Sequence, residues 1–318
     1  MKGRTARAVR LGAALLLVAF LTACAVQTQA LRDATPADLS AAVELTETPF
    51  FAQTEYQCGP AALATVLAAA GLPASPERLG AEIFLPARTG SLQIEMIAGA
   101  RRQGAVATRL PRRLDALLRE VRAGHPVVVL QNLGLSWYPA WHYAVLVGYD
   151  VAAGEVILRS GTTRRESLPM RTFEHTWTRA GAWAFVALPP DVLPHEAEQA
   201  EVVEASVGFE RAAAPAQAIV AYRAALERWP DNLSLAMGLG NSLYASGDRR
   251  AATAVFRTAA QRHRSAPAWI NLAQTLLDLG EANAALQAAR AAAALDDAAW
   301  REPAQAMLAR VQAAIGQE

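Results

Sequence analysis

The stretch Gln53-Thr54-Glu55-Tyr56-Gln57-Cys58-Gly59-Pro60-Ala61-Ala62-Leu63 decides the fold of the first half of the chain. It sets Cys58 just ahead of an apolar helix expected over Pro60 to Ala70, with Pro60 suited to the first turn. At a helix start, unpaired amides and the dipole favour a thiolate over a thiol. Gly59 lets backbone and substrate approach closely. Gln53 lies upstream, where its side-chain amide can meet an oxyanion alongside the Cys58 backbone N–H. Gln57 is the competitor for that role, but as the immediate neighbour of Cys58 it is expected to face elsewhere.

The second chemical block is Trp141-His142-Tyr143-Ala144-Val145-Leu146-Val147-Gly148-Tyr149, with His142 placed 84 residues after Cys58. It puts an imidazole at the start of a buried strand, where it can meet a thiol across a cleft. Between the blocks, Ser91 can cap a helix running to about Gln103, and Leu114 to Ala123 reads as another. Strand-like runs follow at Pro126–Gln131, His142–Tyr149, Glu155–Arg159 and Trp183–Leu188, separated by turn signals such as Ala153-Gly154. Helices first and strands later is an α+β order.

Cys-Gly-Pro-Ala-Ala and His-Tyr-x-Val-x-Val-Gly-Tyr, in this order, resemble the two hallmark blocks of the bacteriocin-processing (double-glycine) peptidase family, in its stand-alone, non-transporter branch. The resemblance spans about residues 46–188 and implies a papain-like cysteine peptidase fold. It further implies Cys58 as nucleophile, His142 as general base and acid, and Gln53 as oxyanion donor. The family's third residue, an Asp after the next strand, orients the imidazole. Here Ser160 stands in that place, 18 residues after His142, and supplies no charge. Asp150 is the other candidate, although Tyr149-Asp150 reads as the turn closing the His142 strand. Trp137, Tyr138 and Trp141 either line a cleft or belong to the core. His125, His175, His195 and His263 show no metal-ligand spacing, and no cofactor is expected.

The chain begins with a basic segment (Lys2, Arg4, Arg7, Arg10) and an apolar run from Leu11 to Ala23, too short to span a bilayer comfortably. The run ends Leu21-Thr22-Ala23-Cys24, which resembles the bacterial lipobox. The reading is a lipoprotein signal peptide over residues 1–24 with Cys24 lipidated. Ala25 after the Cys favours the outer membrane, facing the periplasm. Only two cysteines are present, so an acylated Cys24 leaves Cys58 as the sole free thiol. The formal net charge of +1 offers no basic field for nucleic acid.

Residues 25–45 read as a tether and 46–190 as the peptidase domain, with Pro189-Pro190 and Pro194 as linker. From about 196 to 318 the texture becomes Ala-rich with an internal period: Ala218 recurs as Ala252 after 34 residues and as Ala285 after 33, and Tyr222 as Phe256 after 34. This looks like an all-α tetratricopeptide array of two clear repeats, a degenerate leading one and a terminal helix from about Arg301, fit to recruit a protein partner. The expected function is therefore peptide-bond cleavage by a Cys–His thiolate mechanism on the periplasmic face of a membrane, with peptide or protein as substrate. The alternative is a catalytically weak or inactive scaffold lipoprotein that holds a peptide while the repeats recruit a partner.

Overall fold

Trp141–Asp150 forms the ten-residue strand around which the first unit is organised. The computed structural model describes residues 25–52 and 57–316, so the apolar leader with Cys24, and also Gln53, lie outside the described residues. In order along the chain to Leu188 come α1 (Val26–Asp33), β1 (Ala42–Glu44), α2 (Cys58–Ala69), α3 (Pro76–Ile83), α4 (Gln93–Arg102), β2 (Val106–Arg109), α5 (Leu114–Arg122) and β3 (Val127–Asn132). The chain continues with β4 (Trp141–Asp150), β5 (Glu155–Ser160), β6 (Thr163–Pro169), α6 (Met170–Arg179) and β7 (Ala184–Leu188). The sheet order is β2-β7-β3-β4-β5-β6, with β1 pairing β4 off this path.

β4 meets three strands, all antiparallel: β3 along Trp141–Leu146, β1 along Gly148–Asp150, and β5 on its other edge. The ladder with β5 shifts register between Leu146 and Gly148. A Cβ at Gly148 would stand 2.8 Å from the Val43 carbonyl oxygen, so glycine is what allows β1 to close against the strand there. Residues 143 to 149 are all buried, as expected of a strand covered on both faces. The helix α2 is apolar all round, and every residue from Gly59 to Leu67 is buried. It packs on β4 and ends where Gly71 adopts φ +68°.

Residues 25–45 are not a free tether. Val26–Asp33 is helical, and its Gln27 and Thr28 amides donate to the Glu174 carboxylate at 3.0 and 2.7 Å. Gln27 Oε1 accepts from the Leu114 amide at 2.6 Å, and Ala42–Glu44 pairs with β4. Glu174 is buried, so its charge is satisfied by the orphan amides of a helix start. The expected strands all form, with their ends moved by at most one residue. Ser91 does not cap α4: the helix begins at Gln93, the Met96 amide bonds to the Leu92 carbonyl, and Ser91 Oγ is buried with no partner among the described residues.

The chain divides into two compact units. One takes the chain to Gly99 with Arg109–Ala187 and Pro194–Glu196; the other takes Ala100–Thr108, Leu188–Leu193 and everything from Ala197. The second unit is a helical array: α7 (Gln199–Glu210), α8 (Pro215–Arg228), α9 (Leu233–Ala245), α10 (Arg249–His263), α11 (Ala266–Asp278), α12 (Ala282–Ala294) and α13 (Arg301–Ile315). Asn232, Asp248 and Ser265 cap successive helices by accepting from Leu235, Ala251 and Ala268 amides. Gly247 and Gly280 turn the chain with φ of +90° and +75°. Tyr222 and Phe256 fill equivalent positions in the core, each laid over a glycine of α9. Among the described residues no helix is long and apolar enough to cross a membrane.

Those two glycines give a sign test. Gly→Ala inside a helix ordinarily stabilises by about 1 kcal/mol. A Cβ at Gly240 would lie 2.3 Å from Phe256 Cε1, and one at Gly238 2.2 Å from Tyr222 Cζ. Gly240→Ala and Gly238→Ala should therefore each destabilise, by about 1–3 kcal/mol. Urea unfolding reads the sign directly; a stabilised variant would mean the rings do not occupy these positions.

Candidate active site

Cys58 is the first residue of α2. The residue before it, Gln57, makes no side-chain cap to the helix start. The thiol is partly exposed and lines a cleft of ≈ 610 Å³ whose walls are the Arg88–Gln93 segment, Leu130, Pro139, Trp141, Tyr143 and Ala180. Gly59 is needed for the floor of this cleft: an added Cβ would lie 2.7 Å from Ser91 Oγ, 2.9 Å from Ser91 Cβ and 3.1 Å from Met96 Sδ. The close approach that Gly59 permits is thus that of the Ser91 turn. Tyr143 holds the same turn from the other side, its hydroxyl donating to the Ser91 carbonyl at 3.1 Å. Burial, reinforced by the negative charge of Cys58, pushes the Tyr143 phenol far above its ordinary range, so it remains a donor. Sequence reading missed Tyr143 as part of the site, although it stands in the same block as His142.

On the neighbouring position of β4, His142 Nε2 lies 3.0 Å from Ser160 Oγ at the end of β5. Both groups are partly or fully buried. Burial holds the imidazole below its ordinary pKa, and the carboxylate of Glu166 on β6 works in the opposite direction. Burial therefore favours the neutral form of the ring, and Glu166 the charged one. Asp150 sits at the opposite end of β4, where it accepts from the Ala153 amide at 2.8 Å in the turn it closes. Of the two candidate orienters, Ser160 is the one that touches the histidine.

Cys58 and His142 are not joined by a hydrogen bond in this structure. The residue of β4 whose titration feels the Cys58 charge is Tyr143, and His142 is not among the described residues lining the cleft. Gln57 is exposed. Trp137 and Tyr138 are 81% and 79% exposed, so they are not core; Trp141, 57% exposed, lies at the cleft wall. Of the remaining histidines, His125 pairs with the buried Glu120 at 2.7 Å and His195 with Glu196 at 3.0 Å. Among the described residues no group of three or more His, Cys, Asp or Glu side chains is placed to hold a metal ion.

Comparison with known proteins agrees with this architecture. Residues 45–185 match the model of the Peptidase_C39 like family, and residues 211–276 match that of the tetratricopeptide repeat. A putative C39-like peptidase from Bacillus anthracis is similar at 20% identity and TM-score 0.40, over 47% of this chain and 98% of its own. The peptidase domain of Streptococcus ComA, a bi-functional ABC transporter, is similar at 18% identity and TM-score 0.38, over 45% and 99%. MamA from AMB-1 is similar at 16% identity and TM-score 0.33, over 37% of this chain and 64% of its own. No curated protein matches the sequence significantly. The chain carries a Peptidase_C39-like domain followed by tetratricopeptide repeats.

The pairing with Ser160 predicts a distinct effect for each of two substitutions. Ser160→Ala leaves a buried ring nitrogen without its partner and should cost about 1–3 kcal/mol of stability. Ser160→Asp places a carboxylate beside the ring and should raise the imidazole pKa above that of the unmodified protein. Ring-proton NMR titration of His142, with urea unfolding alongside, measures both; a His142 titration indifferent to both changes would mean the 3.0 Å contact is not made in solution.

Proposed function

We propose that the first unit is a cysteine peptidase. Its Cys58 thiolate attacks a peptide carbonyl, Gln53 and the Cys58 amide hold the oxyanion, and His142 gives its proton to the leaving amine. Water then hydrolyses the acyl-enzyme with His142 as base. The observation that carries this reading is a partly exposed thiol at a helix start on a cleft wall shared with Tyr143, the strand neighbour of the imidazole that Ser160 holds. The missing Cys58–His142 hydrogen bond does not count against it, because such contacts commonly tighten only with substrate bound. Lipidation of Cys24 would anchor the protein at the periplasmic face of the outer membrane, and the repeats would bring a protein partner or substrate to the peptidase.

A second reading has its own support. The orienter of His142 is a neutral hydroxyl, and burial favours a neutral ring, so a resting thiolate–imidazolium pair is disfavoured. A domain that binds peptide in the cleft without turning it over is consistent with those two facts.

Peptide turnover separates the readings. Cys58→Ala and His142→Ala should each abolish essentially all cleavage, and the double variant should lose no more than either one, because the two residues act as a unit. Retained cleavage in Cys58→Ala would end the peptidase reading; peptide binding without any cleavage by the unmodified protein would favour the scaffold. For the anchor, Cys24→Ser should move the protein from the membrane to the soluble fraction, and continued membrane association would place the attachment elsewhere.

A further inference from the structure

The family pattern that this chain resembles supplies a carboxylate to the catalytic imidazole, and Ser160 does not. Strand register shows where a charge is nevertheless available. Leu146 pairs with Leu158 across β4 and β5, so His142, Ala144, Leu146, Leu158 and Ser160 point to one face of the sheet. Leu158 pairs with Glu166 across β5 and β6, which puts Glu166 on that face as well. The exposure of β6 agrees: Glu166 and Leu168 are half-buried while Arg164, Arg165 and Ser167 between and beside them are exposed.

Of the other charged or titratable groups on these elements, the side chains of Arg164 on β6 and Arg171 on α6 are exposed and His175 on α6 is half-buried. On the opposite face Arg159 donates to the carbonyls of Leu45, Thr46, Thr48 and Arg164, and Arg165 pairs with Glu44 at 3.0 Å. From α6, Glu174 accepts the Gln27 and Thr28 amides, and Arg179 donates to the Asn132 carbonyl. On β3, the residue opposite His142 is the neutral Gln131, whose amide donates to Thr176. Cys58 on α2 carries charge only as the thiolate. Glu166 is in no ion pair among the described residues, and it is the carboxylate whose field reaches the imidazole.

We propose that Glu166 is a positioning residue for His142, supplying from the second strand away the negative charge that Ser160 lacks. Ser160 fixes the ring by a neutral hydrogen bond; Glu166 favours its protonated form through space. This deepens the peptidase reading and rests on it for its functional meaning, but its test does not require turnover. The full chain carrying Cys58→Ser, so that no thiolate perturbs the ring, is titrated by ring-proton NMR at low ionic strength, with His142→Ala identifying the resonance.

Glu166→Gln should shift the His142 midpoint to lower pH, Glu166→Asp should retain most of the unmodified value, and added salt should reduce the difference between Gln and Glu. A midpoint unmoved by Glu166→Gln would overturn the proposal, as would an equal shift in Glu166→Asp, since that would point to disturbed packing rather than charge. Turnover, assayed separately with Cys58 present, judges the peptidase reading: a Glu166-dependent titration in a protein that cleaves nothing leaves the electrostatic link intact and removes only its catalytic use.

Discussion

The register of β4 against its neighbours is the constraint from which the site follows. Pairing of Val145 with Arg159 and Leu146 with Leu158 brings Ser160 alongside the start of β4, and the contact between Ser160 Oγ and His142 Nε2 at 3.0 Å results. A slip of one residue would turn every side chain of the strand to the other face, removing His142 from Ser160 and Tyr143 from the Ser91 turn. Two devices hold the register. Gly148 admits β1 at the irregularity, where any side chain would meet the Val43 carbonyl. The helix α2, buried from Gly59 to Leu67, packs on the same strand and cannot slide without exposing its apolar surface.

Within that frame the two chemical groups are prepared differently. Cys58 stands at a helix start with access to solvent through the cleft, which suits the nucleophile role proposed for it. His142 is placed in a drier setting that disfavours its charge, countered by a carboxylate one strand beyond its hydrogen-bond partner. A site arranged in this way keeps the imidazole ready to accept a proton. On the peptidase reading proposed above, the ion pair would form on demand rather than be stored, in keeping with the absence of a hydrogen bond between Cys58 and His142.

The parts of the fold that sequence made legible are those whose signal is local. The α2 segment is a continuous apolar run opened by Gly59-Pro60, and the strands at 127–132, 141–150 and 184–188 are apolar enough to announce themselves. The repeats were visible because Tyr222, Phe256 and the recurring alanines mark the same packing position again and again. What was missed depends on distant partners. Val26–Asp33 is polar and short, and it becomes a helix because Glu174, 146 residues from Thr28, receives its amides. Thr163–Pro169 lacks an apolar run to mark it, since an edge strand exposes one face and needs little hydrophobicity. Missing that strand also hid Glu166, whose relation to His142 exists only through two successive strand registers. Ser160, by contrast, was recoverable because its spacing from the histidine is fixed by a single hairpin.

The central claim is that Cys58 and His142 work as one unit despite making no hydrogen bond at rest. The most direct measurement is the rate of Cys58 alkylation by a small thiol reagent as a function of pH, in the Cys24→Ser chain so that Cys58 is the sole cysteine, with and without His142→Ala. The account predicts that the chain with His142 reacts faster at neutral pH and shows a reactive limb set by the imidazole, which His142→Ala removes. Superimposable rate–pH curves for the two proteins would contradict it, leaving the thiol and the histidine as independent features of a peptide-binding fold.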